Sequence, residues 1–215
     1  MLNETNDGLG EAIVINEDLF VDETAVLEPT QIEYFENKQY LSEVDEVRIN
    51  ETADIMAEVF SEDVIASWSE LSLDEKAEKL NEYYTKAGDK LGINTKGVIV
   101  EPMNTEPGDT LLGYNSGDGY IHLNSFVLDD PSMLGKVLET ATHEMRHQFQ
   151  HDVVVNPSQF QDISNDTIEK WIYEQNNYIS PEYDYQGYYE QDIEADARNY
   201  AENVVKSFMN KMNLK

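Results

Sequence analysis

The chain has 215 residues, 40% of them hydrophobic, enough for one domain with a real core and too few for two large ones. Fourteen basic residues against 44 acidic ones leave a formal charge of -30, which repels phosphate backbones and anionic lipid, so no nucleic-acid and no membrane partner is expected. The absence of cysteine excludes disulfides, thiol nucleophiles and Cys-type zinc sites, and leaves the redox compartment open.

The N-terminus, MLNETNDGLGEAIVIN, has no basic stretch followed by an apolar run, and no apolar run in the chain approaches the ~20 residues that cross a bilayer. The expectation is a soluble protein without a Sec-type signal, cytoplasmic or exported by another route. Residues 1–60 hold sixteen Asp or Glu against Lys38 and Arg48. Such a segment repels itself, and its apolar patches (AIVI, LFV) lack sustained periodicity, so 1–45 reads as an acidic, loosely structured arm. It serves either as a solvated tail or as a docked pro-segment or partner-binding strand. Residues 46–215 make up the catalytic-sized domain.

From about Val47 helical spacing takes over, with Met56, Phe60, Val64 and Trp68 recurring at i+4. Ser72 and Glu75 then form a capping box that opens a second helix, ended by Gly92. Residues 96–103 are a short β-rich run. After a Pro-Gly-Asp loop comes LLGYNSGDGYIHLNSFVL, where Asn115 to Gly119 reads as a hairpin turn between strands. Asp129, Asp130 and Pro131 mark a helix N-terminus. The histidine helix follows, then a short helix in NDTIEKWIYEQNNY, a Tyr-rich loop over 181–190, and an amphipathic helix from about Gln191 to Met212. These elements amount to an α+β fold, mainly helical, with a small β-sheet ahead of the histidine helix.

That helix contains His143-Glu144-Met-Arg-His147. At roughly 100° per residue His147 lies about 40° from His143 and Glu144 about 100°, while Leu134, Leu138, Ala141, Met145 and Phe149 cluster between about 160° and 240°. The imidazoles therefore face away from the core stripe, which argues against buried structural histidines and leaves plain solvent exposure as the bland alternative. Against exposure, two imidazoles one turn apart on one face bind a single Zn²⁺, and the intervening Glu144 is angled to reach a water in an open coordination position.

Zinc requires a third protein ligand. On a continuous helix His151 lies eight residues and ~12 Å of rise from His143, too far to share the ion, and reads as a rim or second-shell residue. In the last helix Glu194 borders the buried arc of Ile193, Ala197, Tyr200, Ala201, Val204 and Phe208. It is the preferred third ligand, with a surface ion pair to Arg198 as the plainer reading. Spacing does not choose among Glu194 and its rivals Glu169, Glu174 and Glu190. Tyr183, Tyr185, Tyr188 and Tyr189 are candidate phenol donors to an oxyanion, or an aromatic loop packed over the core. His122, alternating with Ile121 and Leu123 on a strand, reads as structural in preference to cleft-lining.

THEMRHQFQ followed by IEADARNYA resembles the gluzincin pattern, an HExxH helix with a later Glu-x-[Glu/Asp]-Ala-x-x-[Phe/Tyr]-Ala helix. The segment 95–208 is similar to the ImmA/IrrE-type zinc peptidases and to zincin-like domains of bacterial toxins and phages. The resemblance implies a zincin-like fold, zinc on His143, His147 and Glu194, and Glu144 as general base. It also implies that GYIHLN is the substrate-lining edge strand. Arg198 stands where many members carry an Asp that orients a ligand histidine.

Two functions follow. The first is a zinc metallopeptidase acting on a protein or peptide substrate: the metal acidifies its water toward a pKa of ~7, Glu144 takes the proton, and the leaving amine later receives it. The second is a non-catalytic acidic binding protein, a partner-docking module or nucleic-acid mimic, for which the charge of -30 speaks. Glu144 between the two histidines favours the first, since binding alone has no need of a base.

Overall fold

The computed structural model describes residues 11–16, 43–103, 109–181 and 183–214. Most of the acidic arm and the loop at 104–108 lie outside the described residues. The architecture is α+β and mainly helical. In chain order it comprises β1 (Glu11–Asn16), α1 (Glu43–Val59), α2 (Glu62–Ser67), a 3-10 turn (Trp68–Glu70), α3 (Leu73–Leu91), β2 (Gly97–Glu101), β3 (Asp109–Asn115) and β4 (Tyr120–Asn124). There follow α4 (Ser125–Asp129), α5 (Leu134–Val155), α6 (Asn165–Asn176), α7 (Tyr185–Glu190) and α8 (Asp192–Lys211).

Local signals set several boundaries. The Ser72 hydroxyl accepts from Glu75 N at 3.3 Å while Ser72 N donates to Glu75 Oε2 at 2.8 Å, the reciprocal box that opens α3. Gly92 ends that helix at φ 73°, a left-handed conformation that a Cβ disfavours. The i+4 series Met56–Trp68 does not form one helix. Ser61 accepts from Val64 N and starts α2 afresh, so Met56 and Phe60 end one segment and Val64 and Trp68 belong to the next elements. Likewise SFVL is not strand. Asn124 accepts from Phe126 N at 3.1 Å and caps the short helix α4. Part of the Tyr-rich loop is also helical, as α7, with Asp184 capping Gly187 N.

The sheet has the order β1-β3-β4-β2, with β1–β3 and β3–β4 antiparallel and β2–β4 parallel. The expected hairpin joins β3 to β4: the Asn115 side chain accepts from Gly117 N at 2.6 Å, and Gly117 and Gly119 take positive φ. GYIHLN is not an edge strand. As β4 it is hydrogen-bonded on both sides, to β3 and β2, and β3 is the strand most closely packed on α5. Gly113 permits that approach, because a Cβ there would lie 2.7 Å from the His122 carbonyl and 2.9 Å from Thr140 on α5.

Helix α5 runs through the centre, with β3 and β4 on one side and α8, α3 and α6 around the rest. Met145, Phe149 and Val153 enter a core shared with Met56, Leu80, Tyr200 and Val204. Asn115 fastens the hairpin to the helix by donating to the Glu144 carbonyl at 2.9 Å. Among the described residues no helix is long and apolar enough to cross a membrane.

Candidate metal centre

His143, Glu144 and His147 sit in the buried middle of α5, with relative exposures of 3%, 0% and 6%. They do face away from the main core stripe, yet they are not exposed, because the start of α8 and the α7 segment cover that face. Glu194, in the first turn of α8, is completely enclosed.

The two imidazoles meet edge to face with Nε2 atoms 2.9 Å apart. His143 Nε2 lies 3.4 Å from Glu194 Oε2, and His147 Nε2 lies 3.4 Å from Glu194 Oε1. Four-coordinate zinc with bonds of ~2.0–2.1 Å and tetrahedral angles sets its ligand atoms roughly 3.3 Å apart, so this spacing fits the ion without moving the backbone. Among the described residues this is the only group of three or more His, Cys, Asp or Glu side chains whose ligand atoms converge. Glu194 Oε2 is buried without a hydrogen bond, which suits an atom whose partner is an ion.

The electrostatics set His143 and Glu194 in the protonation states that metal binding needs. Burial, reinforced by His147, pushes His143 down to about 4, so at neutral pH its imidazole is uncharged. Burial pushes Glu194 up, but the attraction of His147 and the contacts of both imidazoles outweigh it and hold the carboxyl well below its usual range. The neutral His143 nitrogen and the Glu194 carboxylate therefore face each other without a proton to displace from the acid.

The rival acids are elsewhere. Glu174 is spent on the N-terminus of α8, accepting from Asp192 N at 3.0 Å and Ile193 N at 2.7 Å. Glu169 and Glu190 are exposed. His151 is half-exposed, its Nδ1 3.2 Å from Asp152, at the rim of a small recess beside His147. His122 is held in the sheet, 2.7 Å from Glu101 and stacked on Tyr114. Arg198 approaches Glu194 only to 3.9 Å; its guanidinium instead lies 3.7 Å over the Tyr189 ring and donates to the Tyr189 carbonyl.

A cleft of about 210 Å³ opens beside His143, lined by Leu112, Thr140, Tyr185, Tyr188, Tyr189 and Arg198. Of the four tyrosines in the 181–190 segment, Tyr183 points to solvent, while Tyr188 is buried and pushed up by that burial and by the nearby Glu194 charge. Sequence reasoning missed Tyr178, whose hydroxyl donates to Glu194 Oε1 at 3.0 Å. It also missed the polar network under the histidines. Arg146, wholly enclosed, donates through Nε and Nη2 to Asp196 at 2.7 and 2.9 Å and through Nη2 to Asp45 at 3.1 Å. Gln150 joins His147 to the same Asp196.

Comparison with known proteins returned no matching family model, no matching curated protein and no matching solved structure.

Proposed function

We propose that the protein is a zinc-dependent metallopeptidase on a zincin-like fold, with His143, His147 and Glu194 as metal ligands and Glu144 as general base. The observation that carries this reading is the convergence of two imidazole nitrogens and one carboxylate at metal-ligand spacing, with a carboxylic side chain placed between the histidines in sequence. Zinc, when bound, supplies a Lewis acid that polarises a carbonyl and makes water acidic near neutral pH.

The chain's own residues perform the remaining steps. The cleft beside His143, walled by Tyr185, Tyr188 and Tyr189 and bordered by the charged Lys136, Glu139 and Glu202, would receive the peptide. Glu144 takes a proton from the attacking water and returns it to the leaving amine, so each atom of the water ends in one of the two products. The buried imidazole of His143 stays uncharged down to about pH 4, which keeps its nitrogen available as a donor throughout the neutral range. Tyr178 holds the Glu194 carboxylate by its phenol and fixes the angle at which that carboxylate faces the histidines.

The test is metal analysis of purified protein together with cleavage of an unbiased peptide library. One zinc per chain and cleavage abolished in Glu144→Gln, with zinc content unchanged, is the expected result. Stoichiometric zinc without cleavage by the wild type points to the acidic binding protein instead, and absence of zinc defeats both the ligand set and the mechanism.

A further inference from the structure

We infer that Gln150 is the positioning residue that fixes His147 as an Nε2 metal ligand, an inference that rests on the metal reading of the site. Gln150 sits one turn after His147 on α5 and is completely buried. Its side-chain oxygen lies 2.8 Å from His147 Nδ1. Its side-chain nitrogen donates to the Ile193 carbonyl at 2.9 Å and to Asp196 Oδ2 at 2.7 Å.

The orientation of a glutamine amide is normally ambiguous, but here its neighbours decide it. A carbonyl oxygen and a carboxylate oxygen both accept and neither donates. Turning the amide over would press its oxygen against both, at a side chain wholly closed to solvent. The nitrogen therefore faces α8, and the oxygen faces the imidazole. An acceptor at that point requires the proton of neutral His147 on Nδ1, which leaves the lone pair on Nε2. That nitrogen is the one 2.9 Å from His143 Nε2 and 3.4 Å from Glu194 Oε1.

The polarity of the chain of bonds is set further back. Asp196 is an acceptor because Arg146 grips it with two hydrogen bonds, and Arg146 is itself tied to Asp45 on α1. Asp196 lies two residues beyond Glu194, so the helix that supplies the carboxylate ligand also supplies the group that orients Gln150. One relay thereby aligns ligands from two helices before any ion arrives.

The imidazole tautomer is read by long-range ¹H–¹⁵N NMR on metal-free protein near pH 7.5, and zinc affinity by competition with a chelator. Wild type should show His147 protonated on Nδ1. In Gln150→Met the resonance should move toward a mixture of tautomers, and zinc affinity should fall about 10–100-fold. A merely structural glutamine would lower the melting temperature in Gln150→Met while leaving tautomer and affinity alone.

His147 protonated on Nε2 in the wild type overturns the inference, as does unchanged affinity in a folded Gln150→Met protein. Should that variant fail to fold, the wild-type tautomer decides. Failure of the wild type to bind zinc defeats the proposed function, and the metal-free tautomer still decides whether Gln150 sets the imidazole.

Discussion

Replacing Arg146 by Met removes a buried cation while nearly preserving side-chain bulk, and the structure fixes what is left behind. Asp196 loses both of its arginine hydrogen bonds, and Asp45 loses one, retaining only Arg48 at 3.6 Å among the arginines. The guanidinium carbon also lies 4.6 Å from the Tyr200 ring centroid and 4.7 Å from that of Phe149, contacts that a thioether chain replaces only in part. Removing one partner of a buried pair strands charge in low dielectric and costs about 3–5 kcal/mol. A domain stable by about 5–15 kcal/mol loses a large share of that, equivalent to roughly 6–20 °C in melting temperature for this chain length. The assay is thermal and urea unfolding of metal-free protein followed by far-UV circular dichroism. Adding Asp196→Asn to Arg146→Met neutralises the stranded carboxylate and should recover roughly 1–3 kcal/mol. Arg146→Met as stable as wild type would refute the reasoning, since it would mean that desolvation already cancels the attraction.

Four further outcomes follow from the same packing. Glu144→Gln should lower peptide cleavage by about 10²–10⁴-fold with zinc content unchanged, measured by peptide turnover and metal analysis. Glu174→Ala removes the cap of α8, so it should cost about 1–2 kcal/mol in urea melts yet leave one zinc per chain, whereas Glu194→Ala should weaken zinc binding by at least roughly 100-fold. Metal-free protein should lose stability in acid. His143 is pushed down to about 4 from an unfolded value of 6.5, so between those values the unfolded chain binds the extra proton. The resulting loss of stability, about 3 kcal/mol, is absent above pH 6.5 and builds up as pH falls toward 4, and the depressed Glu194 acts in the same direction below about 4.5. A stability profile flat from pH 7 to 4.5 in the presence of chelator would contradict the burial of that imidazole. Gly113→Ala should destabilise by about 1–3 kcal/mol, because its Cβ meets the His122 backbone, and a variant as stable as wild type would show that β3 stands off α5.

What the sequence reveals here is what is settled within one or two turns of chain. The Ser72–Glu75 box and the Gly92 stop depend on neighbours three or four residues off, and both are legible. So is the shared face of His143 and His147, since helix geometry alone sets it. The break at Ser61 is a local signal that competed with a longer apolar period, and the cap prevailed because its acceptor satisfies a helix N-terminus that the period does nothing for. The remaining pieces of the centre depend on distant partners. Gln150 reaches Ile193, 43 residues on, and Arg146 reaches Asp45, 101 residues back, so each reads in sequence as an ordinary polar position on an amphipathic helix. The same distance explains why Glu174 could stand as a rival to Glu194: both are acids on late helices, and only the arrival of the α8 N-terminus at Glu174 spends its carboxylate. Burial of the histidines has the same origin. Their orientation follows from α5 alone, but the lid over them is made by α7 and α8, and a face that points away from the core becomes an enclosed ligand site only because a second apolar helix closes on it.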